Sequence, residues 1–341
     1  MEKRRLGNTG IKLTTVGLGT WAMGGPWEFG WGPQDDAEAV AAIVRALELG
    51  INWIDTAPAY GLGHSEELVA RALKQTGARP FIATKCGILW DDAGRKISCL
   101  KKQSVLGECD DSLRRLDVET IDLYQMHWPV PAEDVDQAWE AMIECLDKGK
   151  VRHIGVCNFN VAQMRHIVEA RSAAGSCRGQ DALAKGSGGH RPVSLQPPYS
   201  MVHREVEAET LAYCAANQLG VVVYSPMQRG LLTGAFNRKR LAGLASDDHR
   251  LRSADFQEPA FSATLEMVEK LRPIARDNGK TLAQLAVAWT LRRPEVTAAI
   301  VGARRPGQIE ETVGASGWRL TDDEIQRIEA LIRERNAKLT V

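Results

Sequence analysis

The alternation of short apolar runs with amphipathic helices is the feature that most constrains the fold of this chain. The runs, in order along the chain, are TVGLGT, INWID, FIATK, IDLYQMH, VRHIGVCN, VSLQ, GVVVYS and TAAIVG. Short, largely apolar runs of this kind are typical of parallel strands that are covered by helices. Eight strand-and-helix units are also the number that closes a TIM barrel. We therefore predict an α/β fold, a (β/α)8 TIM barrel.

A doubly wound open sheet has the same alternation of strands and helices and is the alternative to the barrel. In that fold the first strand leads into a helix through the fingerprint G-x-G-x-x-G. Here the first strand is followed by GLGTWAMGG, which is rich in glycine but has a different spacing and does not lead directly into a helix. The pattern therefore favours the barrel.

Other predicted elements complete the eight units or lie outside them. The opening RRLGNTGIKL predicts a β-hairpin, and an extra C-terminal helix is predicted over Thr321–Arg335. Within the units, a helix is expected to begin at Ser65, with Glu67 or its neighbour capping it. A further helical stretch is expected from Phe261 to Arg292, in the unit that follows GVVVYS.

The whole chain, residues 1–341, is predicted to be a single barrel domain with two irregular segments. Residues 172–192 are small, polar and rich in glycine, so we expect a flexible excursion between the fifth helix and the sixth strand. It would lie opposite the active site and be dispensable for catalysis, or serve in contacts between subunits. Residues 229–260 form a long loop after the seventh strand, on the face that is catalytic in a barrel.

Charge and composition restrict the partners of this protein. The formal net charge is zero and the pI is about 7.1, so no basic excess is available to bind nucleic acid or an anionic membrane. The N-terminus is charged and carries no apolar signal segment, and no apolar run is long enough to span a bilayer. The seven cysteines are widely spaced without C-x-x-C, as expected of reduced thiols. Together these features predict a cytoplasmic protein that acts on a small molecule and has no metal site.

Polar residues close each predicted strand. Asp55, Lys85 and His127 end the second, third and fourth strands. The other strands end in Gly19, Thr20, Trp21, Cys157, Asn158, Gln196, Tyr224, Ser225 and Gly302. In a barrel all of these ends meet at one face, and polar groups are costly to bury unless they satisfy one another. We therefore expect the functional site at this face.

These stretches also resemble the aldo-keto reductase superfamily over nearly the whole chain. The matching motifs are GLGTW, INWIDTAPAYG, IATK, SLRRLDVETIDLYQMHWP, IGVCNF, LQPPYS, YSPMQRGLLTG and IVGARRPGQIEE. Within that superfamily the chain is similar to the bacterial-type branch that includes general stress proteins and channel β-subunits. The resemblance implies a (β/α)8 barrel that binds NADPH in an extended form.

The resemblance implies a catalytic tetrad of Asp55, Tyr60, Lys85 and His127. Tyr60 would be the general acid in carbonyl reduction, with its pKa lowered by the Lys85 ammonium. Asp55 would keep Lys85 charged and oriented, and His127 would bind the substrate oxygen as a neutral imidazole. In the reverse direction Tyr60 would be the base.

The resemblance also implies a set of residues that bind NADPH or NADP+. They are Gly19, Thr20, Trp21, Asp55, Cys157, Asn158, Gln196, Tyr224, Ser225, Pro226, Met227, Gln228, Arg229, Gly230, Gly302, Arg304, Gln308 and Glu311. Asn158 and Gln196 would bind the nicotinamide carboxamide, while Cys157 stands where a serine is common in the family. Arg229 would contact the pyrophosphate. Arg304, or equally Arg305, would bind the 2′-phosphate, which favours NADPH over NADH.

Four tryptophans are expected around the mouth of the substrate site: Trp27, Trp31, Trp90 and Trp128. They lie in the loops after the first, third and fourth predicted strands. An aromatic rim suits an apolar or aromatic carbonyl compound, or the flat face of a sugar.

The leading hypothesis is an NADPH-dependent oxidoreductase that reduces aldehydes and ketones to alcohols. One alternative is a cofactor-binding regulatory subunit of another protein with slow turnover, and another is a sugar or alcohol dehydrogenase that works in the oxidative direction. A metal-dependent hydrolase using His127 and Asp55 is disfavoured, because other strand ends carry no cluster of His and Asp ligands.

Overall fold

Eight parallel strands close into a barrel in the computed structural model, which describes residues 1–173 and 190–339. The strands in chain order are β1 (Lys3–Arg5), β2 (Lys12–Thr14), β3 (Val16–Gly19), β4 (Trp53–Asp55), β5 (Phe81–Cys86), β6 (Ile88–Trp90), β7 (Lys96–Ser98), β8 (Ile121–Met126), β9 (Val151–Cys157), β10 (Ser194–Gln196), β11 (Gly220–Val223) and β12 (Val296–Gly302). The order around the barrel is β3-β4-β5-β8-β9-β10-β11-β12, and β12 pairs with β3. The predicted barrel is confirmed, and the open sheet is excluded because no edge is left unpaired.

Helices surround the barrel. They are α1 (Asp36–Glu48), α2 (His64–Thr76), α3 (Lys102–Leu116), α4 (Val135–Asp147), α5 (Val161–Ala173), α6 (Thr210–Ala216), α7 (Arg238–Ala242), α8 (Ala260–Asp277), α9 (Leu282–Leu291), α10 (Pro306–Thr312) and α11 (Asp322–Ala337). Short 3-10 helices lie at Trp21–Met23, Ala132–Asp134, Glu205–Glu207, Gln228–Thr233, His249–Arg252, Ala254–Phe256 and Val313–Ala315. Most of the predicted excursion at 172–192, namely residues 174–189, lies outside the described part of the chain.

The helical stretch predicted after β11 is two helices, α8 and α9, rather than one. Gly279 adopts a left-handed φ of 64°, which ends α8, and Thr281 caps the start of α9 through a capping box with Gln284. The extra C-terminal helix is confirmed as α11, and Thr321 is its N-cap.

The start of α2 differs from the prediction. The helix begins at His64, its N-cap is Gly63, and no side chain caps it. Ser65 is buried and its hydroxyl donates to Thr20 Oγ1 at 2.6 Å. Glu66 is also buried and pairs with Arg115 at 2.7 Å. The polar residues at the start of this helix therefore join it to its neighbours instead of capping it.

The predicted N-terminal hairpin, β1 and β2, closes the end of the barrel at which the strands begin. Leu6 and Leu13 are buried, and they pack with barrel residues such as Trp53 and Val222. The Trp53 indole donates to the Thr14 carbonyl at 2.9 Å. The hairpin thus completes the interior core of the barrel at one end, and the active-site loops lie at the other.

A second hairpin, β6 and β7, was not predicted from the sequence. It follows β5 and projects beyond the carboxyl ends of the barrel strands, with Trp90 paired to Lys96. The side chain of Asp91 organises the tip of the hairpin by accepting from the Ala93 and Arg95 backbone N–H groups at 3.0 and 2.9 Å. This hairpin forms part of the wall around the candidate site.

No helix in residues 1–173 and 190–339 is long and apolar enough to cross a membrane.

Candidate active site

Three neighbouring strands place charged and ionisable side chains at one end of the barrel. Asp55 is the last residue of β4, and Lys85 is the penultimate residue of β5. The backbone N–H of His127 donates to the Cys86 carbonyl at 3.0 Å, which extends the pairing of β5 and β8 by one residue. The sequence prediction that these residues meet is therefore consistent with the register of the barrel.

Tyr60 reaches the same point from the loop after β4. That loop packs closely on the loop after β3, since a Cβ atom on Gly61 would lie 1.8 Å from the Gly24 carbonyl oxygen. Gly61 also has a φ of 70°, so this close approach requires glycine. The ring of Tyr60 stands nearly perpendicular to that of His127, with 6.0 Å between the ring centroids.

The Lys85 ammonium is surrounded by three acceptors. It donates to Asp55 Oδ1 at 2.6 Å, to the Thr56 carbonyl at 2.9 Å and to the Tyr60 hydroxyl oxygen at 3.1 Å. An ammonium has three N–H groups, so all of them are used. The oxygen of Tyr60 is therefore an acceptor from Lys85, and its own hydrogen is free to bind another group.

The second oxygen of Asp55 is held by two glutamines. Gln196 Nε2 donates to Asp55 Oδ2 at 2.7 Å, and Gln125 Nε2 lies 3.4 Å from the same oxygen. Gln125 was not predicted to belong to the site, because it lies inside the apolar run of β8. Gln196 was predicted to bind a nicotinamide amide, and in this structure its amide nitrogen is directed at Asp55.

Burial raises the pKa of the Tyr60 phenol to about 12, although the Lys85 ammonium acts in the opposite direction. The prediction that the ammonium lowers the pKa of Tyr60 overall is therefore wrong in direction. The direction is opposite because burial disfavours the phenolate form of Tyr60 more than the Lys85 ammonium favours it. Tyr60 is therefore fully protonated at neutral pH.

Lys85 and His127 are shifted in opposite directions. Burial disfavours the Lys85 ammonium, but the charge of Asp55 outweighs this effect and raises the lysine pKa. Burial lowers the pKa of His127 well below its usual range, and the positive charges of Lys85 and Lys96 add to that shift. At neutral pH the site therefore contains a charged lysine beside a neutral imidazole, as predicted.

Asn158 and Tyr224 form one hydrogen-bonded unit at the next strand ends. Asn158 Nδ2 donates to the His127 carbonyl at 3.0 Å, and the Tyr224 hydroxyl donates to Asn158 Oδ1 at 2.9 Å. This unit lies directly beside His127, where the predicted nicotinamide contacts were placed. Cys157 is fully buried, and burial raises the pKa of its thiol, so the thiol stays protonated.

The backbone after β11 has an unusual shape. Ser225, Gln228 and Arg229 have left-handed φ values of 55°, 45° and 54°, and Gly230 follows with 92°. Successive turns of this kind form the concave backbone surfaces that bind phosphates. This shape and the Arg229 guanidinium fit the predicted pyrophosphate site, which also includes Pro226 and Met227.

A buried carboxylate, Asp255, ties the long loop of residues 229–260 to this backbone. Asp255 accepts from Gln228 at 2.6 Å and from Arg229 at 2.9 Å, and His203 Nε2 lies 3.1 Å away. The hydrogen bonds and charges of His203, Gln228 and Arg229 outweigh the opposing effect of burial and lower the Asp255 pKa to about 2. This tether could not be predicted, because its members are distant along the chain.

Arg304 is already occupied by protein groups. Its guanidinium donates to the carbonyls of Trp31 and Pro33 and to the side chain of Gln34, and Gln308 accepts from its backbone N–H at 2.7 Å. It therefore holds the loop after β3. The three remaining residues of the predicted adenosine site are all exposed: Gly302, Arg305 and Glu311. Within the described residues, the side chain of Arg305 makes neither a hydrogen bond nor an ion pair, although its backbone carbonyl accepts from the Gln308 N–H at 3.1 Å.

The predicted aromatic rim divides into two parts. Trp21 and Trp31 pack edge to face at 5.5 Å, and both contact the buried His249 of the long loop. Trp27 donates to the Gly94 carbonyl in the tip of the β6–β7 hairpin at 2.7 Å. Trp90 is half-buried and Trp128 is exposed. His249 is a further site residue that sequence analysis missed, because it lies in a long irregular segment.

The described residues contain no group of three or more His, Cys, Asp or Glu side chains that could hold a metal ion. In that part of the chain, the hydrolase alternative therefore has no set of ligands.

Comparison with known proteins identifies the family of this chain. The sequence model of the Aldo/keto reductase family matches residues 15–333. Aldo-keto reductase YhdN of Bacillus subtilis is 36% identical over 97% of this chain and 94% of its own length. The NADH-specific methylglyoxal reductase of Escherichia coli is 32% identical over 94% of this chain and 95% of its own length.

The structure of the glycerol dehydrogenase AKR11B4 from Gluconobacter oxydans has a TM-score of 0.82 and 35% identity, covering 98% of this chain and 95% of that one. A family model that covers most of the chain and relatives above 30% identity agree with the barrel described above. The chain belongs to the aldo/keto reductase family of oxidoreductases, which use nicotinamide cofactors.

Proposed function

We propose that this protein reduces an aldehyde or a ketone to the alcohol with NADPH, and that Tyr60 donates the proton. The observation that carries the proposal is the arrangement of the Lys85 ammonium. Its three hydrogen bonds leave the Tyr60 oxygen as an acceptor, so the phenolic hydrogen is available to a substrate oxygen.

The bound nicotinamide would supply the hydride for the carbonyl carbon. Tyr60 would give its proton to the carbonyl oxygen, and Lys85 would stabilise the phenolate that remains. Asp55 keeps Lys85 charged throughout. His127, neutral at the pH of the reaction, would donate a hydrogen bond to the same substrate oxygen and polarise the carbonyl group.

The residues of the predicted nucleotide site fit a dinucleotide. Asn158, Gln196 and Tyr224 lie beside the tetrad, where the nicotinamide would bind. Arg229 and the left-handed backbone at residues 228–230 suit a pyrophosphate. The side chain of Arg305 is exposed and makes no ion pair with any described residue. This supports a 2′-phosphate ligand there and hence NADPH as the cofactor. Of the two arginines considered for the 2′-phosphate, we therefore choose Arg305, because Arg304 is hydrogen-bonded to the loop after β3.

Oxidation of a polyol is the second candidate, because the similar Gluconobacter protein is a glycerol dehydrogenase. The same site would then need Tyr60 as the phenolate base. Because burial raises its pKa to about 12, Tyr60 is almost entirely protonated at pH 7. Protonated Tyr60 is therefore suited to reduction at neutral pH, and we expect oxidation to require alkaline conditions.

The test compares wild type with Tyr60→Phe. Binding of NADPH and NADH is measured by tryptophan fluorescence, and turnover is followed at 340 nm with methylglyoxal, glyceraldehyde and 4-nitrobenzaldehyde. We expect both proteins to bind NADPH more tightly than NADH and the variant to lose turnover by about 10²–10⁴-fold, the usual contribution of a general acid. Tight binding without turnover in the wild type would instead favour a regulatory cofactor-binding subunit. Equal turnover in both proteins would remove Tyr60 from the mechanism.

A further inference from the structure

We propose that Lys96 selects carbonyl substrates that carry a carboxylate group, by holding an unpaired ammonium at the mouth of the site. The inference rests on the proposed reductase function and specifies its substrate class. It concerns a residue on the β6–β7 hairpin that belongs neither to the tetrad nor to the nucleotide site.

The hairpin places Lys96 beside the reacting groups. It begins three residues after Lys85, and Lys96 pairs with Trp90 across its two strands. The hairpin starts beside His127, because β6 begins two residues after Cys86, whose carbonyl accepts from the His127 backbone N–H at 3.0 Å. The charge of Lys96 also contributes to the lowered pKa of that imidazole. A substrate whose oxygen meets His127 would therefore bring its remaining atoms close to this ammonium.

The loop after β3 holds the hairpin in this position. Trp27 donates its indole N–H to the Gly94 carbonyl at 2.7 Å, so the two segments are joined at the hairpin tip. The Lys96 ammonium lies 5.2 Å from the centre of the Phe29 ring, and that ring packs against Trp27. The cation is therefore held against an aromatic wall at the mouth.

Lys96 lacks an anionic partner of the kind that the adjacent arginine has. The adjacent Arg95 forms an ion pair with Asp91 at 2.7 Å. Lys96 is exposed and makes no ion pair with any described residue. The contact with the Phe29 ring stabilises the Lys96 ammonium less than an ion pair with a carboxylate would. A substrate carboxylate would supply the missing negative charge and accept a charge-assisted hydrogen bond from the ammonium.

The first test measures kcat/KM for 4-carboxybenzaldehyde and for the neutral 4-(hydroxymethyl)benzaldehyde. Lys96→Met is compared with Lys12→Met, which removes the same charge from an exposed lysine at the opposite end of the barrel. We expect wild type to prefer the carboxylate substrate. Lys96→Met should reduce that preference by about fivefold, the size expected of one partly exposed ion pair. Lys12→Met and Lys96→Arg should retain it.

Salt gives an independent readout of the same interaction. Raising sodium chloride should reduce the carboxylate preference of the wild type and leave that of Lys96→Met unchanged, since salt screens exposed charge pairs. A preference that is the same in Lys96→Met as in wild type, or that falls equally in Lys12→Met, would overturn the proposal.

A binding measurement separates this inference from the proposed reductase function. The compounds 4-carbamoylbenzoate and benzamide carry no reducible aldehyde, and their binding can be followed by tryptophan fluorescence in the presence of NADPH. Wild type should bind the carboxylate about fivefold more tightly than benzamide, and Lys96→Met should bind both equally. If the wild type turned over no aldehyde, the reductase function would fail, whereas this difference in binding would still decide the role of Lys96.

Discussion

The pairing of Lys85 with Asp55 serves chemistry better than it serves stability. Both side chains are buried, with exposed fractions of 0% and 3%. Buried ion pairs recover their desolvation cost only when every hydrogen-bonding group is satisfied, and well-packed apolar residues often stabilise a fold equally well. Here every N–H of Lys85 has an acceptor, and both oxygens of Asp55 have donors. The result is a permanently charged ammonium in contact with a phenol.

The pH dependence of the two directions should differ. For reduction, Tyr60 must be protonated and His127 neutral. Tyr60 loses its proton only as the pH approaches about 12, and His127 gains one only well below its usual pKa. We therefore expect kcat/KM for reduction to be flat between about pH 6.5 and 9. Oxidation needs the phenolate, so its rate should rise by about tenfold for each pH unit across the same range.

Both rates are measured with one substrate pair, benzaldehyde and benzyl alcohol, in the wild type and in Tyr60→Phe. The variant should lose the rise of the oxidation rate with pH, because it has no phenol to ionise. A fall in the wild-type reduction rate between pH 7 and 9 would contradict the raised pKa of Tyr60.

The meeting of Asp55, Lys85 and His127 at one end of the barrel could be predicted from the sequence, but the protonation of Tyr60 could not. Asp55, Lys85 and His127 each close an apolar run, so topology alone brings them together. The direction of the pKa shift of Tyr60 depends on how far burial opposes the charge of Lys85, and residues distant along the chain determine this. Gln125 was missed for a related reason, since a single polar residue within a strand looks like an interruption of the pattern.

At the scale of elements, different loops of the barrel carry different parts of the candidate site. The loop after β4 carries Tyr60, and the β6–β7 hairpin carries Lys96. The residues from 225 to 260 include the proposed pyrophosphate site. The hairpin was missed because each of its strands has only three residues, too few for a period to be recognised. The residues of its tip, DDAG, are typical of a turn, but they do not reveal which strands flank them.

The tether at Asp255 should control the opening of the long loop. Asp255→Ala removes the acceptor shared by Gln228, Arg229 and His203, and hydrogen bonds to a charged group are each worth about 1.5–3 kcal/mol. We expect amide hydrogen exchange in residues 243–256 to become at least about tenfold faster. NADPH should also dissociate faster, because the backbone at 228–230 would be less well held.

Asp247→Ala is the matched control, since Asp247 is an exposed aspartate of the same loop. Its hydrogen exchange and NADPH dissociation should equal those of the wild type. Unchanged exchange in Asp255→Ala would mean that apolar contacts, such as those of Phe256 with Phe236 and Phe261, hold the loop without the carboxylate.

At the scale of the whole molecule, the two ends of the barrel have separate roles. The carboxyl ends of the strands carry the polar site, and the hairpin of β1 and β2 closes the other end with Leu6 and Leu13. The eightfold alternation in the sequence was sufficient to predict this architecture, because it depends on the number and order of the elements. Residue contacts between the hairpin and the barrel could not be predicted, since they join segments about 200 residues apart.

Gly7 is the position where that closure is most sensitive. It has a φ of 54°, and a Cβ atom there would lie 2.6 Å from the carbonyl oxygens of both Val193 and Gln218. These are backbone atoms of the barrel wall, so they cannot move aside as a flexible side chain would. A left-handed conformation alone costs alanine about 1–2 kcal/mol, and the contacts add to this cost.

Gly7→Ala should therefore lower the melting temperature by at least about 3 °C. Its kcat/KM at 25 °C should equal that of the wild type, because the site lies at the opposite end of the barrel.

Gly10 is the matched control. It lies in the turn of the same hairpin, where φ is not left-handed and a Cβ atom would meet nothing within 4 Å. Gly10→Ala should leave the melting temperature unchanged or raise it slightly. If both variants had the melting temperature of the wild type, the contacts of the hairpin with the barrel would contribute little to stability. If Gly7→Ala lost activity at 25 °C while remaining folded, the two ends of the barrel would be coupled.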